Sequence, residues 1–242
     1  MVTQTATKLA IEAQGLTKIY GSGNTEVVAM KNVFLNVAQG EVVALLGPSG
    51  AGKSTLLTAV GLINPPTSGR IFIGGELVLE ADRPHVDLRA FRRKNLGFVF
   101  QRANLIPFLT AEENVRVAME INDVPAREAR KRARELLDYL GVGNRAGNLP
   151  SMLSGGQQQR IAVARALANH PKLILADEPT AALDSHRGRQ VMELFRQVAH
   201  EQNAGVLVVT HDHRALDVFD RTVEMEDGVL RENTAAVNIG SH

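Results

Sequence analysis

Four short apolar runs limit the fold most: Val42 to Leu46, Leu96 to Phe100, Leu173 to Ala176 and Val206 to Val209. A strand with one buried face alternates apolar and polar residues, and these runs do not alternate. They read as strands buried on both faces. Helical patterns separate most of them, which predicts a largely parallel sheet covered by helices. The first third is different. Val33, Leu35 and Val37 alternate with Phe34 and Asn36, the period of a half-buried strand. Residues 71–79 read as two strands around Gly74-Gly75.

From Thr110 to Ala168 the pattern is almost wholly helical. Ala129, Ala133, Leu136, Leu137 and Leu140 share one stripe, with Arg127, Glu128, Arg130, Lys131 and Arg134 opposite. Gly141 ends that helix. A further helix starts at Asp184 or Ser185 as N-cap and turns Val191, Leu194, Phe195 and Val198 inward. The expected organisation is one domain over 8–230. Its core is 8–101 and 166–230, with a helical subdomain inserted at 102–165 and a loose tail over 231–242.

Composition removes several functions. The 242 residues contain no cysteine, so disulfides and thiolate zinc sites are excluded. A net charge of +1 and a small aromatic set of eight Phe and two Tyr, with no Trp, speak against a nucleic-acid partner. No run approaches the roughly 20 apolar residues of a spanning helix. Lys8 and Glu12 stand where a secretory signal needs an apolar stretch, so a cytosolic location is expected.

Gly47-Pro48-Ser49-Gly50-Ala51-Gly52-Lys53-Ser54 follows the first apolar run, and Thr55 to Val60 can begin a helix behind it. The spacing is that of a phosphate-binding loop. Glycines let several backbone N–H groups converge on phosphate oxygens, and the helix start adds partial positive charge. Lys53 would meet the β- and γ-phosphates of ATP, and Ser54 would offer a hydroxyl to Mg²⁺. Gly21-Ser22-Gly23 lacks the third glycine of a dinucleotide fingerprint and reads as a loop.

Asp177 and Glu178 close another apolar run. Alone, Asp-Glu-Pro is a solvated turn. Beside a phosphate loop, Asp177 becomes a Mg²⁺ ligand. Glu178, directed elsewhere by strand alternation, becomes a general base worth about 10²–10⁴-fold in rate. Gln101 and His211 also follow apolar runs. Singly, either is a polar strand cap. Together with the loop they become a sensor of Mg²⁺ and water, and a γ-phosphate contact that orients Glu178.

Leu153-Ser154-Gly155-Gly156-Gln157 precedes a helix, with Ser154 as N-cap, and makes a second anion-seeking helix start. With this ordered set the chain resembles the ABC-type ATPases over about residues 8–230. The set also includes Ala182-Leu183-Asp184. The resemblance implies a head-to-tail homodimer, with each ATP between one unit's phosphate loop and the other's signature at 153–157. It implies that Ser154 and Gly156 contact the partner's γ-phosphate, that Asp184 couples the two sites, and that Tyr20 stacks on adenine. Tyr20 also reads as strand-end packing.

One ATPase unit without membrane segments resembles the stand-alone subunit of a transporter whose permease is a separate chain. Residues 21–30 resemble the group containing MacB, LolD and FtsE. Residues 100–110 and 177–184 resemble DevA-type exporter ATPases and haem-exporter relatives. Ala181-Ala182 replaces the Gly-Asn usual in the MacB and LolD branches, which speaks against lipoprotein release. The resemblance implies a peripheral protein on the cytoplasmic side of the inner membrane. Its partners would be a permease and, through it, a periplasmic adaptor. The apolar stretch Leu105-Ile106-Pro107-Phe108-Leu109 is expected to dock the permease or, alternatively, to pack the helical subdomain. FtsE-like mechanical signalling is the alternative function. A soluble ATPase of repair or translation fits less well, for lack of a coiled-coil insertion, zinc module or second unit.

Overall fold

The computed structural model describes residues 8–181, 183–211 and 213–232. The chain begins with β1 (Leu9–Tyr20), β2 (Val27–Ala38), β3 (Val42–Leu46) and α1 (Lys53–Val60). Next come β4 (Ser68–Ile73), β5 (Glu76–Glu80), β6 (Arg83–Pro84), α2 (Leu88–Asn95) and β7 (Leu96–Val99). The helical stretch holds α3 (Ala111–Glu120), α4 (Ala126–Tyr139) and α5 (Gly155–Leu167). The chain then returns through β8 (Leu173–Asp177), α6 (Ser185–Gln202), β9 (Gly205–Val209), β10 (Arg221–Glu226) and β11 (Val229–Glu232).

A six-stranded sheet of order β11-β10-β3-β9-β8-β7 carries the expected parallel strands, with only β11 antiparallel. An antiparallel sheet, β2-β1-β4-β5-β6, packs beside it. Together they make an α/β core with an antiparallel β part and inserted helices, as expected.

The unbroken apolar runs have a direct cause. Alternate residues of each central strand enter two separate cores. Val42, Ala44, Ile174, Ala176, Val206 and Val208 face the core closed by α3 to α6. Val43, Leu45, Leu173, Leu175, Leu207 and Val209 face the core closed by α1, α2 and the antiparallel sheet. In β2, which buries one face, Val33, Leu35 and Val37 are inside while Phe34 is exposed.

Two expected edges fall inside regular elements. The helix α5 runs through position 165 and packs on β7 as well as on α3. Arg231 and Glu232 are not loose: they pair with Glu224 and Val223 as part of β11. The sign was the Asp227-Gly228 turn between two short strands. The remainder of that tail, 233–242, lies outside the described residues. Among the described residues no helix is long and apolar enough to cross a membrane.

Glu112 ties α3 to α4. It is buried and accepts from Arg130 Nε at 2.9 Å and Arg134 Nε at 2.7 Å. Burial pushes its carboxyl up, but the two arginines outweigh this and leave it below the ordinary carboxylate range. Its stabilisation is therefore complete above that range and disappears as pH falls through the lowered value. Glu112→Gln should destabilise the protein by about 2 kcal/mol in urea titrations at neutral pH. The difference from wild type should shrink in acid.

Candidate functional site

Two polar loops and one acidic strand end meet because β9 lies between β3 and β8. The phosphate loop leaves β3, and Asp177 ends β8. Two strand spacings, about 9–10 Å, separate those strand ends. The space is a cavity of about 580 Å³, lined by Gly47 to Gly50, Gly52 to Thr55, Asp177, Glu178 and His211.

Gly47 and Gly52 bear the loop's close contacts. A Cβ would sit 2.0 Å from the Met225 carbonyl at Gly47 and 2.3 Å from the Ala29 carbonyl at Gly52. Gly50 differs, since a Cβ there would meet open space. Lys53 folds back on the loop and donates from Nζ to the Gly47 and Pro48 carbonyls at 2.7 Å each. These acceptors stand where an anion's oxygens could replace them. Lys53 also begins α1, so the cavity lies at a helix N-terminus. Ala51, expected among the ATP contacts, is buried in the core, and its N–H goes to the Pro48 carbonyl.

Asp177 and Glu178 line the same cavity, which corrects the expectation that alternation separates them. The strand stops at Asp177. Glu178 takes a left-handed backbone (φ 48°), held by its N–H to the Val209 carbonyl at 2.9 Å. This conformation is costly for a non-glycine residue. The turn brings Glu178 Oε1 to 2.8 Å from His211 Nδ1. Burial pushes the Asp177 carboxyl up, Glu178 adds to this, and Lys53 opposes it. A carboxylate so disfavoured, in one cavity with Ser54, fits a divalent cation that takes few protein ligands and shares phosphate oxygens.

Other expected site residues lie elsewhere. Gln101 is exposed on a separate cavity with Gly155, Gln158, Gln159 and Leu183. Tyr20 is 41% exposed at the end of β1, outside the phosphate cavity, with its hydroxyl bonded to Asn64. Ser154 caps α5 as expected. It accepts from the Gln157 N–H at 3.3 Å, and Gln157 Oε1 accepts from the Ser154 N–H at 3.0 Å. Ser154 and Gly155 are exposed, whereas Leu153 is buried and anchors the turn. Asp184 is exposed and caps α6 by accepting from the Arg187 N–H at 2.9 Å. The signature turn touches this region: a Cβ at Gly155 would lie 3.6 Å from Leu183, and one at Gly156 3.7 Å from Arg187. Ala182 lies outside the described residues.

Three polar residues were missed. Asn114, fully buried, exchanges hydrogen bonds with Ile106 and also donates to the Leu109 carbonyl. Gln159 and Arg165 bind carbonyls of the Gln101 loop. A buried amide bound to backbone leaves no spacing to read.

A sheet of this order with a phosphate loop, an acidic strand end and a capped glycine turn defines an ATPase of the ABC type. The profile described as ABC transporter matches residues 30–181, and the chain belongs to that family as an ATP-binding subunit that hydrolyses ATP. It is 45% identical over 231 residues to the macrolide export ATP-binding/permease protein MacB of Brucella abortus, covering 95% of this chain and 35% of that protein. It is 44% identical over 218 residues to the lipoprotein-releasing system ATP-binding protein LolD of Bacteroides fragilis, covering 90% of this chain and 98% of that one. The dimeric post-hydrolysis structure of the ATP-binding cassette MJ0796, from Methanocaldococcus jannaschii and bound to ADP and Pi, matches with a TM-score of 0.79. There the identity is 41%, over 92% of this chain and 98% of that one. The overall identities to MacB and LolD differ by one percentage point.

The raised Asp177 carboxyl costs stability once ionised. Its favourable contribution is present at low pH and is lost as pH rises through the folded value. Asp177→Asn should raise the melting temperature of the nucleotide-free protein at neutral pH by about 2 °C. Calorimetry across pH should show the gain fading in acid.

Proposed function

We propose that this subunit powers a MacB-like exporter as a head-to-tail homodimer beneath a separate permease, at the cytoplasmic side of the inner membrane. The observation that carries this reading is the separation of two anion-seeking surfaces on one chain. Lys53, Asp177, Glu178 and His211 share a cavity, and the Ser154–Gly156 turn is not among its lining residues. A second copy can bring its turn to the first copy's cavity. Asp184, beside that turn, then lies at the joint, and Tyr20 is left for the adenine. The DevA likeness is a finer form of this reading and rests on residues 100–110 and 177–184 alone.

In the closed dimer the loop N–H groups and Lys53 grip the triphosphate of ATP. Ser54 and Asp177 would hold Mg²⁺, and Gln101 would join them from its loop. The ion, when bound, neutralises charge on the phosphate oxygens. Glu178 takes a proton from the attacking water, and His211 keeps the carboxylate aimed. We read the helices of 102–165 as the arm that carries the signature between the core and the permease.

The stretch 105–109, expected to dock the permease or to pack the helical subdomain, divides between the two. Leu105 packs against the core, while Pro107 is exposed and Phe108 is 78% exposed. Phe98, Phe100, Ala118 and Ile121 line a groove of about 490 Å³ with Arg89 and Arg93. Arg92 and Arg165 line it too, so a permease helix with an apolar face flanked by acidic residues fits such a groove.

Glu178→Gln should bind ATP and Mg²⁺, form a stable dimer on gel filtration, and hydrolyse at least ~100-fold more slowly. Near-normal turnover would remove Glu178 as the base. Lys53→Ala should instead weaken nucleotide binding itself. Phe108→Asp should keep ATP binding and lose recruitment to membranes containing the permease; unchanged recruitment would exclude Phe108 from the docking surface.

A further inference from the structure

The loop bearing Gln101 is fastened to the helix bearing the signature. Gln159 Nε2, on α5, donates to the Phe100 carbonyl at 3.1 Å. Six residues further along α5, Arg165 donates from Nη1 to the Asn104 carbonyl at 2.8 Å and from Nη2 to the Ala103 carbonyl at 2.9 Å. The two side chains thus hold the loop on both sides of Gln101. Asn104 adopts a left-handed backbone (φ 46°) at the point where the Arg165 fork engages.

These bonds are hard to give up. Gln159 is 3% exposed, so an unpaired amide there would be desolvated without compensation. Arg165 is partly buried, and burial holds its guanidinium below the usual value. Its two bonds go to backbone carbonyls that match the planar fork. Pulling the loop off α5 would leave the Gln159 amide buried without its carbonyl and would break both bonds of the Arg165 fork. The loop must therefore travel with α5, and the N-terminus of α5 is Gly155, next to its Ser154 cap.

We propose that Arg165 and Gln159 are positioning residues that gear Gln101 to the signature helix. When the Ser154 end of α5 shifts to engage the partner's nucleotide, Gln101 is carried in the same movement. Nucleotide engagement in one site and placement of Gln101 beside the other are then one step. This rests on the roles of Gln101 and Ser154 given under Proposed function.

The test uses Arg165→Lys, which keeps the charge and loses the fork, and Gln159→Leu, which keeps the volume and loses the donor. In nucleotide-free protein, hydrogen exchange of the 100–105 segment should accelerate about tenfold in each variant, with α4 and α6 unchanged. Each should lower kcat about tenfold, with KM for ATP within twofold of wild type. In a Gln101→Ala background the same substitutions should cost less than twofold more. Unchanged exchange, a rise in KM with kcat retained, or losses that multiply in that background would each overturn the gear. An undiminished kcat in Gln101→Ala alone would remove the role of Gln101 and the gear with it. Multiplying losses on an impaired Gln101→Ala would remove the gear alone. If Arg165→Lys does not fold, as judged by circular dichroism, Gln159→Leu decides.

Discussion

A strand buried on both faces has no side on which to carry polar chemistry. In β3, β8 and β9 successive side chains are consumed by two cores, and the backbone groups are consumed by parallel ladders. Only the strand ends remain for charge. The phosphate loop, the Asp177-Glu178 pair and His211 all follow the carboxyl ends of these strands, as expected of parallel sheets. Placing β9 between β3 and β8 then opens a space suited to a triphosphate.

The electrostatics of that space are unbalanced in one chain. Asp177 is pushed toward its neutral form by burial and by Glu178. Lys53 rests on carbonyls of its own loop. Glu178 is held in a costly backbone conformation and bonded to His211. Each group is satisfied provisionally, by partners that an anion and a divalent cation could replace. Such a site gives up stability for ligand affinity. The stable parts lie elsewhere, in the two cores and in the Glu112 cluster joining α3 to α4.

Much of this was legible beforehand. The unbroken runs gave the doubly covered strands, because burial on two faces leaves no polar period. Asp184 and Ser154 were readable as N-caps, since capping is local and depends on few residues. The hairpin of β10 and β11 was less visible, because β11 is four residues long and only Leu230 packs inward. Leu153 and Ala51 sit inside motifs that look uniformly functional, yet both side chains serve the core. Motif spacing tells which residues travel together, and it does not tell which of them turn inward.

By itself, the sequence determined the periodicities, the loop with its lysine, the acidic strand end and the helix caps. All of these depend on residues near one another in the chain. Only the tertiary structure decided that Asp177 and Glu178 share one cavity, and that Gln101 and the signature turn stand outside it. It also joined the Gln101 loop to α5 through Gln159 and Arg165. Those outcomes depend on strand order and on side chains bonding to backbone about 60 residues away. A carbonyl acceptor is the same at every residue, so no residue pattern announces such a bond.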